Sequence, residues 1–332
     1  MGYRNANNEE KNMKTCTRIL AAVLAAAALP AFAAGYPERP VRAIITFPPG
    51  SATDIIGRVV AQKLTEFWGQ TVVADNRGGA GGVIGSQAVA QGNPDGYTLL
   101  INSNAHAVNP SIYAKLPYDT MKDFTNIAPL VSAPNVLITS PSNKVKSVSE
   151  LIADAKARPG KVNFASAGIG SGTHLSLEKF KMMAQVEVTH IPFKGTGEAI
   201  IDILAGRVDY YFVPISAGIG YIRDNKVRAL AVSSIKRSPQ LPNVPTVAEG
   251  GVKGYDSGLW FGLWGPAKMP AQVVEKIWKD TDRALSSPDV IERMSNLAAV
   301  PLHMKPAEFT KFVASEIEDT AKVVKAAGIK PQ

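Results

Sequence analysis

Two glycine- and hydroxyl-rich segments of the chain have the composition of an anion-binding loop. The first, FPPGS at 47–51, follows a β-branched run and precedes a helical pattern that starts at residue 52. The second, ASAGIGSGTH at 165–174, again lies between an apolar run and a helical pattern. The start of a helix leaves backbone N–H groups without partners and carries a partial positive charge. Each segment therefore predicts a position where an anion can bind.

Individual side chains in these loops also have a purely structural interpretation. Ser51 and Asp54 have the spacing of a capping box. Because a carboxylate repels an anion, we expect Asp54 to hold the first loop rather than to bind the ligand. His174 has a donor for a ligand, although its position is more typical of a capping or partly buried histidine. Each loop alone also suits a tight turn, but two such loops in one chain favour a shared ligand.

The loops match no nucleotide-binding or catalytic motif. The second loop lacks the Gly-Lys-Ser/Thr of a P-loop, Thr173 replaces the last glycine of G-x-G-x-x-G, and NRGGAGG at 76–82 fails both patterns. The chain has neither G-x-S-x-G nor H-E-x-x-H, and its four histidines are too dispersed for a metal cluster. We therefore expect no catalytic residue, metal or cofactor. Two alternatives stay open: an enzyme acting on small carboxylic acids through His174 or Asp54, and a nucleotide-binding domain.

Short β-rich runs alternate with helical patterns along the chain, which predicts an α/β fold with helices covering mostly parallel sheets. Ser51 and Ser171 lie far apart, which suggests one strand–loop–helix unit in each of two domains. The strands are predicted at 41–47, 71–75, 97–102, 135–139, 161–166, 187–191, 208–213 and 228–233, and the helices near 52–68, 81–91, 147–157, 174–184, 196–205, 270–286 and 306–327.

Residues 1–33 have the pattern of a secretory signal peptide, with Lys14 and Arg18 before an apolar run and an A-x-A site that ends at Ala33. Met13 is an alternative start. The single cysteine, Cys16, lies in this segment, so we expect a mature chain without a thiol and without a lipid anchor. The formal net charge of +8 favours acidic ligands or simply solubility. No Lys/Arg run alternates with aromatic residues, so we expect no nucleic-acid partner.

A series of motifs follows one order along the chain: YPxRPVR at 36–42, FPPG at 47–50 with Asp54, NRGGAGG at 76–82, PDGYTL at 94–99, DF at 123–124, PGK at 159–161, GxGSxxHL at 168–175, PFKG at 192–195, AGxVD at 205–209, ALAV at 229–232 and PxVPTVAE at 242–249. In this order the motifs resemble the Bug-type periplasmic solute-binding receptors of tripartite tricarboxylate transporters. The resemblance covers nearly the whole predicted mature chain.

The resemblance implies a periplasmic two-lobed clamshell of the type II-like class, with residues 35–135 and 259–332 in lobe 1 and residues 136–258 in lobe 2. A monomer is the default expectation for a clamshell that must move, and the oligomeric state stays open. It implies that a carboxylate is held in the cleft, largely by backbone amides and ordered water, and is passed to membrane transporter subunits. The ligand contacts that it implies are Phe47, Gly50, Ser51, Ala52, Asp54, Ser103, Asn104, Ser166, Gly168, Gly170, Ser171, Thr173, His174, Phe193, Gly195 and Val213.

Three of these positions depart from the pattern of the family. Ser51 replaces a glycine found in many relatives, and Phe193 replaces the usual tyrosine. Val213 replaces an aspartate that relatives binding amino acids often carry, so a partner for an ammonium group is missing. These departures predict a ligand without an amine, such as an aromatic or aliphatic dicarboxylate.

Overall fold

The computed structural model describes residues 35–326, and these form alternating strands and helices. The strands are β1 Val41–Ile45, β2 Val72–Asn76, β3 Thr98–Ser103, β4 Phe124–Thr139, β5 Asn163–Ser166, β6 Thr189–Pro192, β7 Tyr210–Pro214, β8 Arg228–Val232, β9 Gly258–Pro266 and β10 Val300–Pro301. The helices are α1 Ala52–Trp68, α2 Val83–Ala90, α3 Ala105–Ile112, α4 Val148–Ala157, α5 Gly172–Ala184, α6 Thr196–Leu204, α7 Ile215–Arg223, α8 Ala271–Leu285, α9 Pro288–Asn296 and α10 Pro306–Ala326. The predicted signal peptide, with Met13 and Cys16, lies outside the described residues.

Two groups of strands meet at one long strand. The strand order is β2-β1-β3-β9-β4-β7-β5-β6, and β8 and β10 also pair with β4. Strand β1 runs parallel to β2 and β3, and β5 runs parallel to β6 and β7, as the sequence predicts. The pairs made by β4 and β9 are antiparallel, so the sheet as a whole is mixed.

Strand β4 crosses from one group to the other without a break. It pairs with β9 as far as Pro134, opposite Gly258, and with β7 from Asn135, opposite Pro214. The chain returns at the start of β9. Each group is covered by helices. The chain passes between the two groups at residues 134–135 of β4 and again at the start of β9, and we call these two places the crossings.

Each group of strands has its own hydrophobic core. Trp264 and Phe309 are fully buried in the first, and Phe164, Phe180 and Phe212 in the second. Burying side chains of this size supplies the main stabilisation of each half. The cores therefore hold the strand ends that carry the two glycine-rich loops.

None of the helices described between residues 35 and 326 is long and apolar enough to cross a membrane. Over the same residues, no group of three or more His, Cys, Asp and Glu side chains is arranged to hold a metal ion.

Candidate functional site

The first loop joins β1 to α1 and is held by a buried carboxylate. Ser51 is the N-cap of α1, and its hydroxyl accepts the N–H of Asp54 at 3.2 Å. The Asp54 carboxylate accepts the N–H of Gly50 at 2.9 Å and a guanidinium N–H of Arg58 at 2.8 Å. It also accepts an amide N–H of Asn76 at 2.8 Å. This confirms the prediction that Asp54 holds the loop.

The second loop joins β5 to α5 and is held by hydroxyl groups. Ser171 is the N-cap of α5 and accepts the N–H of His174 at 3.3 Å. The hydroxyl of Thr173 accepts the N–H of Ala167 at 2.9 Å and lies 3.0 Å from that of Ser171. The buried hydroxyl of Ser166 accepts the N–H of Gly168 at 3.1 Å.

Two histidines whose rings stack on each other contact the second loop through their ring nitrogens. Their ring centroids, in His174 and His190, are 4.2 Å apart. The Nδ1 atom of His174 accepts the N–H of Gly170 at 3.4 Å, and Nε2 of His190 lies 2.6 Å from the Ser166 hydroxyl. Burial lowers the pKa of His174 to about 3, helped by His190 and Lys181. Burial, helped by Lys181, lowers the pKa of His190 to about 4, so both rings are neutral at pH 7.

The two loops face one small cavity of about 20 Å³, close to the room that one water molecule needs. Six of the predicted ligand contacts line it: Phe47, Ser51, Ala52, Ser103, Ser171 and Thr173. Seven lining residues are additional to the prediction: Thr53, Ala167, Gly172, Thr196, Pro214, Leu259 and Phe261. The last three lie on β7 and β9, far from either loop along the sequence, so the loop motifs do not indicate them.

The first two residues of both loop helices line this cavity. These are Ala52 and Thr53 of α1, and Gly172 and Thr173 of α5. N–H groups at the first helical positions have no acceptor within the helix. Two positive helix ends, and residues with four such N–H groups, therefore border one space, which is an arrangement that favours an anion.

The two halves touch closely around the cavity. The hydroxyl of Tyr113 donates to the carbonyl oxygen of Ile169 at 3.3 Å. A Cβ placed on Gly172 would lie 2.2 Å from Oδ1 of Asn104, and one on Gly195 would lie 3.0 Å from Pro48. A side chain at either position would therefore displace residues of the opposite half. Any molecule larger than a water therefore needs the two loops to separate.

Ten predicted contacts lie outside the cavity lining: Gly50, Asp54, Asn104, Ser166, Gly168, Gly170, His174, Phe193, Gly195 and Val213. Most of them hold or border the loops through the contacts described above. Val213 is fully buried in the core of the second half, and the next residue, Pro214, lines the cavity. Contact of these ten residues with a ligand stays a prediction.

The chemistry of the lining is neutral. None of the residues that the structure places around this cavity carries a charged side chain. The buried hydroxyl of Tyr211, whose pKa is raised to about 12 by burial, donates to the lining hydroxyl of Thr196 at 3.3 Å. Asp54 and His174 are both engaged in holding backbone N–H groups. The arrangement suits the binding of an anion and lacks a poised acid–base pair.

Comparison with known proteins agrees with this geometry. Residues 56–329 match the model of the tripartite tricarboxylate transporter family receptor. The chain is 38% identical over 321 residues to the protein BugT of Bordetella pertussis, which covers 95% of this chain and 98% of that protein.

Solved structures show the same fold. The R. palustris protein Rpa4515, solved with adipate, superposes with a TM-score of 0.87 at 35% identity, over 90% of this chain and 100% of that chain. MatC from Rhodopseudomonas palustris, solved with malate, superposes with a TM-score of 0.83 at 31% identity, over 87% of this chain and 100% of that chain. The family and its structural neighbours are substrate-binding receptors of the periplasm rather than enzymes. This two-lobed chain belongs to the receptor family of the tripartite tricarboxylate transporters.

Proposed function

We propose that this receptor captures a small organic carboxylate without an amino group and delivers it to a tripartite tricarboxylate-type membrane transporter. The observation that carries the proposal is the convergence of both helix starts on one cavity. Ala52 and Thr53 line it from one half, and Gly172 and Thr173 line it from the other, each at the first two positions of a helix. A carboxylate that accepts from both pairs stabilises the closed cleft relative to the open one.

Because the cavity is so small, the cleft must open before a ligand can enter it. At about 20 Å³ it does not admit a dicarboxylate while the loops are in contact. The ligand therefore enters an open form, in which contacts such as Tyr113 to Ile169 are broken. Closure then follows around the ligand, as in hinge proteins generally. The crossings of β4 and β9 support the predicted lobes, with residues 35–135 and 259–332 in one and residues 136–258 in the other.

The lining favours an acid without an amine. An ammonium group would lose its water shell here without meeting a carboxylate, which is costly. Phe47, Leu259 and Phe261 give the cavity an apolar wall suited to an alkyl or aromatic body. The adipate and malate bound to the two structural neighbours are both carboxylates that carry no amine.

The cellular setting follows from the family. A receptor of this kind works in the periplasm, so we assign residues 1–33 as the signal peptide that directs secretion. We propose that the mature protein is a monomer, because a clamshell that opens and closes needs both lobes free to move. Delivery then requires the transporter to recognise the closed form.

The test is a calorimetric titration with matched pairs of acids. Succinate and aspartate differ by one ammonium group, and so do glutarate and glutamate, so each pair isolates the effect of the amine. Adipate, malate and benzoate add a longer, a hydroxylated and an aromatic acid to the panel. We expect at least one amine-free acid to bind and its amino counterpart to bind at least about tenfold more weakly.

The opposite preference, with glutamate or aspartate bound and no amine-free acid bound, would contradict the proposal. Recovery of the bound acid unchanged after incubation separates a receptor from an enzyme that acts through His174 or Asp54. ATP and NAD serve as negative controls, because thermal stabilisation by either would favour a nucleotide site.

A further inference from the structure

Ser233 ties together the two places where the chain passes between the lobes. It follows β8 and is fully buried. Its hydroxyl accepts the N–H of Asn135, where the chain enters the second lobe, at 2.8 Å. The same hydroxyl donates to the carbonyl of Ser257, where the chain leaves that lobe. Its backbone also bonds both residues, at 2.8 Å and 2.9 Å. The two passing segments are therefore fixed to each other on the second-lobe side.

Ser176, in the second turn of α5, extends this link to the anion-binding helix. Its hydroxyl donates to the carbonyl of Gly172 at 3.1 Å. It accepts the side-chain N–H of Asn135 at 2.9 Å and lies 2.8 Å from the hydroxyl of Ser257. A hydroxyl has one donor and two acceptor sites, so these three bonds saturate it. Both Ser176 and Asn135 are fully buried.

One hydroxyl thus contacts the first residue of α5 and both passing segments. Gly172 lines the cavity as the first residue of α5, where its N–H has no acceptor within the helix. The hydroxyl of Tyr255 adds a bond to the carbonyl of Ser176 at 2.8 Å, which fixes the helix turn from the other side. The start of α5 is therefore connected to both crossings by hydrogen bonds that are buried at Gly172 and Asn135 and partly buried at Ser257.

We propose that Ser176 is a positioning residue that makes the start of α5 and both crossings one rigid body. The inference rests on the proposed function, because it describes how ligand capture at α5 moves the lobe. With Asn135 and Ser257 held, rotation between the lobes takes place at their neighbours Pro134 and Gly258, which face each other as the last pair of β4 with β9. Capture at α5 then swings the whole second lobe instead of bending the helix alone.

The test is hydrogen exchange on the ligand-free protein. Ser176→Ala leaves the side-chain N–H of buried Asn135 and the hydroxyl of Ser257 without their partner, at a cost typical of a lost buried bond. We expect exchange to accelerate about tenfold at the first turn of α5 and, together with it, at the amides of Asn135, Ser233 and Ser257. A merely local role predicts faster exchange in α5 alone.

Two further variants complete the test. Ser86→Ala is the matched control, because Ser86 is equally buried and accepts a side-chain N–H of Asn102 at 3.2 Å, in the other predicted lobe. It should leave exchange at α5 and the crossings unchanged. Ser257→Ala removes only the outermost, partly buried hydroxyl, so it keeps the experiment informative if Ser176→Ala fails to fold, and it should accelerate exchange at both places by a smaller factor.

Faster exchange confined to α5 in Ser176→Ala, or confined to the return crossing in Ser257→Ala, would overturn the inference. Because the readout uses no ligand, this result is independent of whether any carboxylate binds. Failure of the proposed function would appear only in the titration with acids.

Discussion

The first and second loops share one arrangement of strand, serine cap and helix, but different side chains hold them in place. Each follows a parallel strand, ends in a serine N-cap and presents the first N–H groups of a helix to the cavity. The first is held by the carboxylate of Asp54 with Arg58 and Asn76. The second is held directly by neutral partners, chiefly His190 and Thr173, and the buried carboxylate of Glu178 approaches it only through Nε2 of His174, at 3.7 Å.

The difference shows that the donors of an anion site can be positioned with or without charge. In the first loop, the carboxylate of Asp54 is paired with the guanidinium of Arg58 and accepts the N–H of Gly50, just before the N-cap. In the second loop, a cationic histidine would attract the anion, but burial keeps both rings neutral. Binding strength therefore depends on backbone donors in both loops, whereas stability responds to mutation and pH differently in each.

The largest effect is expected where the second loop touches the opposite half. Gly170 and Gly50 share a positive φ of 78°, but a Cβ on Gly170 would lie 2.7 Å from Oδ1 of Asn109 and one on Gly50 would meet nothing within 4 Å. Gly170→Ala should weaken carboxylate binding about 100-fold, because it obstructs closure. We would measure it by calorimetry with the tightest acid of the panel.

Gly50→Ala is its matched control, because both substitutions impose the same backbone strain of about 1–2 kcal/mol. It should lower stability in the same way and change affinity by only a few-fold. Equal affinities for the two variants would contradict the assigned closed cleft.

Next in size is the loss of the carboxylate that holds the first loop. Asp54→Ala removes a buried carboxylate that accepts from exposed Gly50 and partly buried Asn76. Because hydrogen bonds to a charged group are the strong ones, the free energy of unfolding should fall by about 1–3 kcal/mol. Urea denaturation gives this value. Asp75→Ala, which removes a half-exposed partner of Arg42 at a strand end, should cost under about 1 kcal/mol. If Asp54→Ala lowered the free energy of unfolding less than Asp75→Ala does, contacts other than those of Asp54 would hold the first loop.

The second loop should be the acid-sensitive one. The pKa values of about 3 and about 4 for His174 and His190 lie below the ordinary 6.5, so the unfolded chain takes up protons first as pH falls. Stability is then full above about pH 6.5 and falls as pH decreases toward 4, by roughly 2 kcal/mol per histidine at pH 5. Chemical denaturation across this range gives the slope.

His190→Gln removes one titrating ring and keeps a polar side chain beside Ser166. The slope of stability against pH should become shallower by about 1.4 kcal/mol per pH unit. The fully buried His106, with a pKa near 3 because of burial, keeps contributing in both proteins. A slope that does not change would mean that His190 is protonated in the folded protein.

The smallest effect is expected from the two helix caps. Ser51→Ala and Ser171→Ala each remove an acceptor for one N–H at a helix start, for a loss of about 1 kcal/mol in stability. The convergent donors remain, so affinity should change by less than about fivefold. Ser147→Ala, at the N-cap of α4 and outside the cavity lining, is the matched control for melting temperature. If Ser147→Ala lost as much affinity as the other two variants, ligand affinity would not depend on the residues that line the cavity.

Local sequence patterns predicted the parts of the fold that carry the loops. The runs at 41–47 and 161–166 form β1 and β5, and the serine caps begin α1 and α5 close to the expected positions. A β-branched run, a glycine turn and a serine cap are all short-range signals, so they are readable from neighbouring residues alone.

Sequence patterns predicted the strands at the crossings less well. Strand β9 and the first part of β4 were not predicted, because their glycines and prolines weaken a strand pattern and only tertiary pairing compensates. Helix α3 was missed because Pro110 lies inside it, and α7 because the apolar run at 215–223 contains two glycines. The hinge therefore depends on contacts between distant segments.

The candidate site divides in the same way between local and distant residues. The loop residues were found from their own motifs, whereas His190, Leu259 and Phe261 reach it from separate strands. The supporting role of His190 in particular is set by its stacking on His174, which no local pattern indicates.

The most direct test is a crystal structure of the protein with the amine-free acid that binds most tightly. We predict a carboxylate within hydrogen-bond distance of the backbone nitrogen of Ala52 or Thr53 on one side and of Gly172 or Thr173 on the other, with the lobes closed around it. A ligand bound away from these four nitrogens, or held by lysine and arginine side chains alone, would contradict the account.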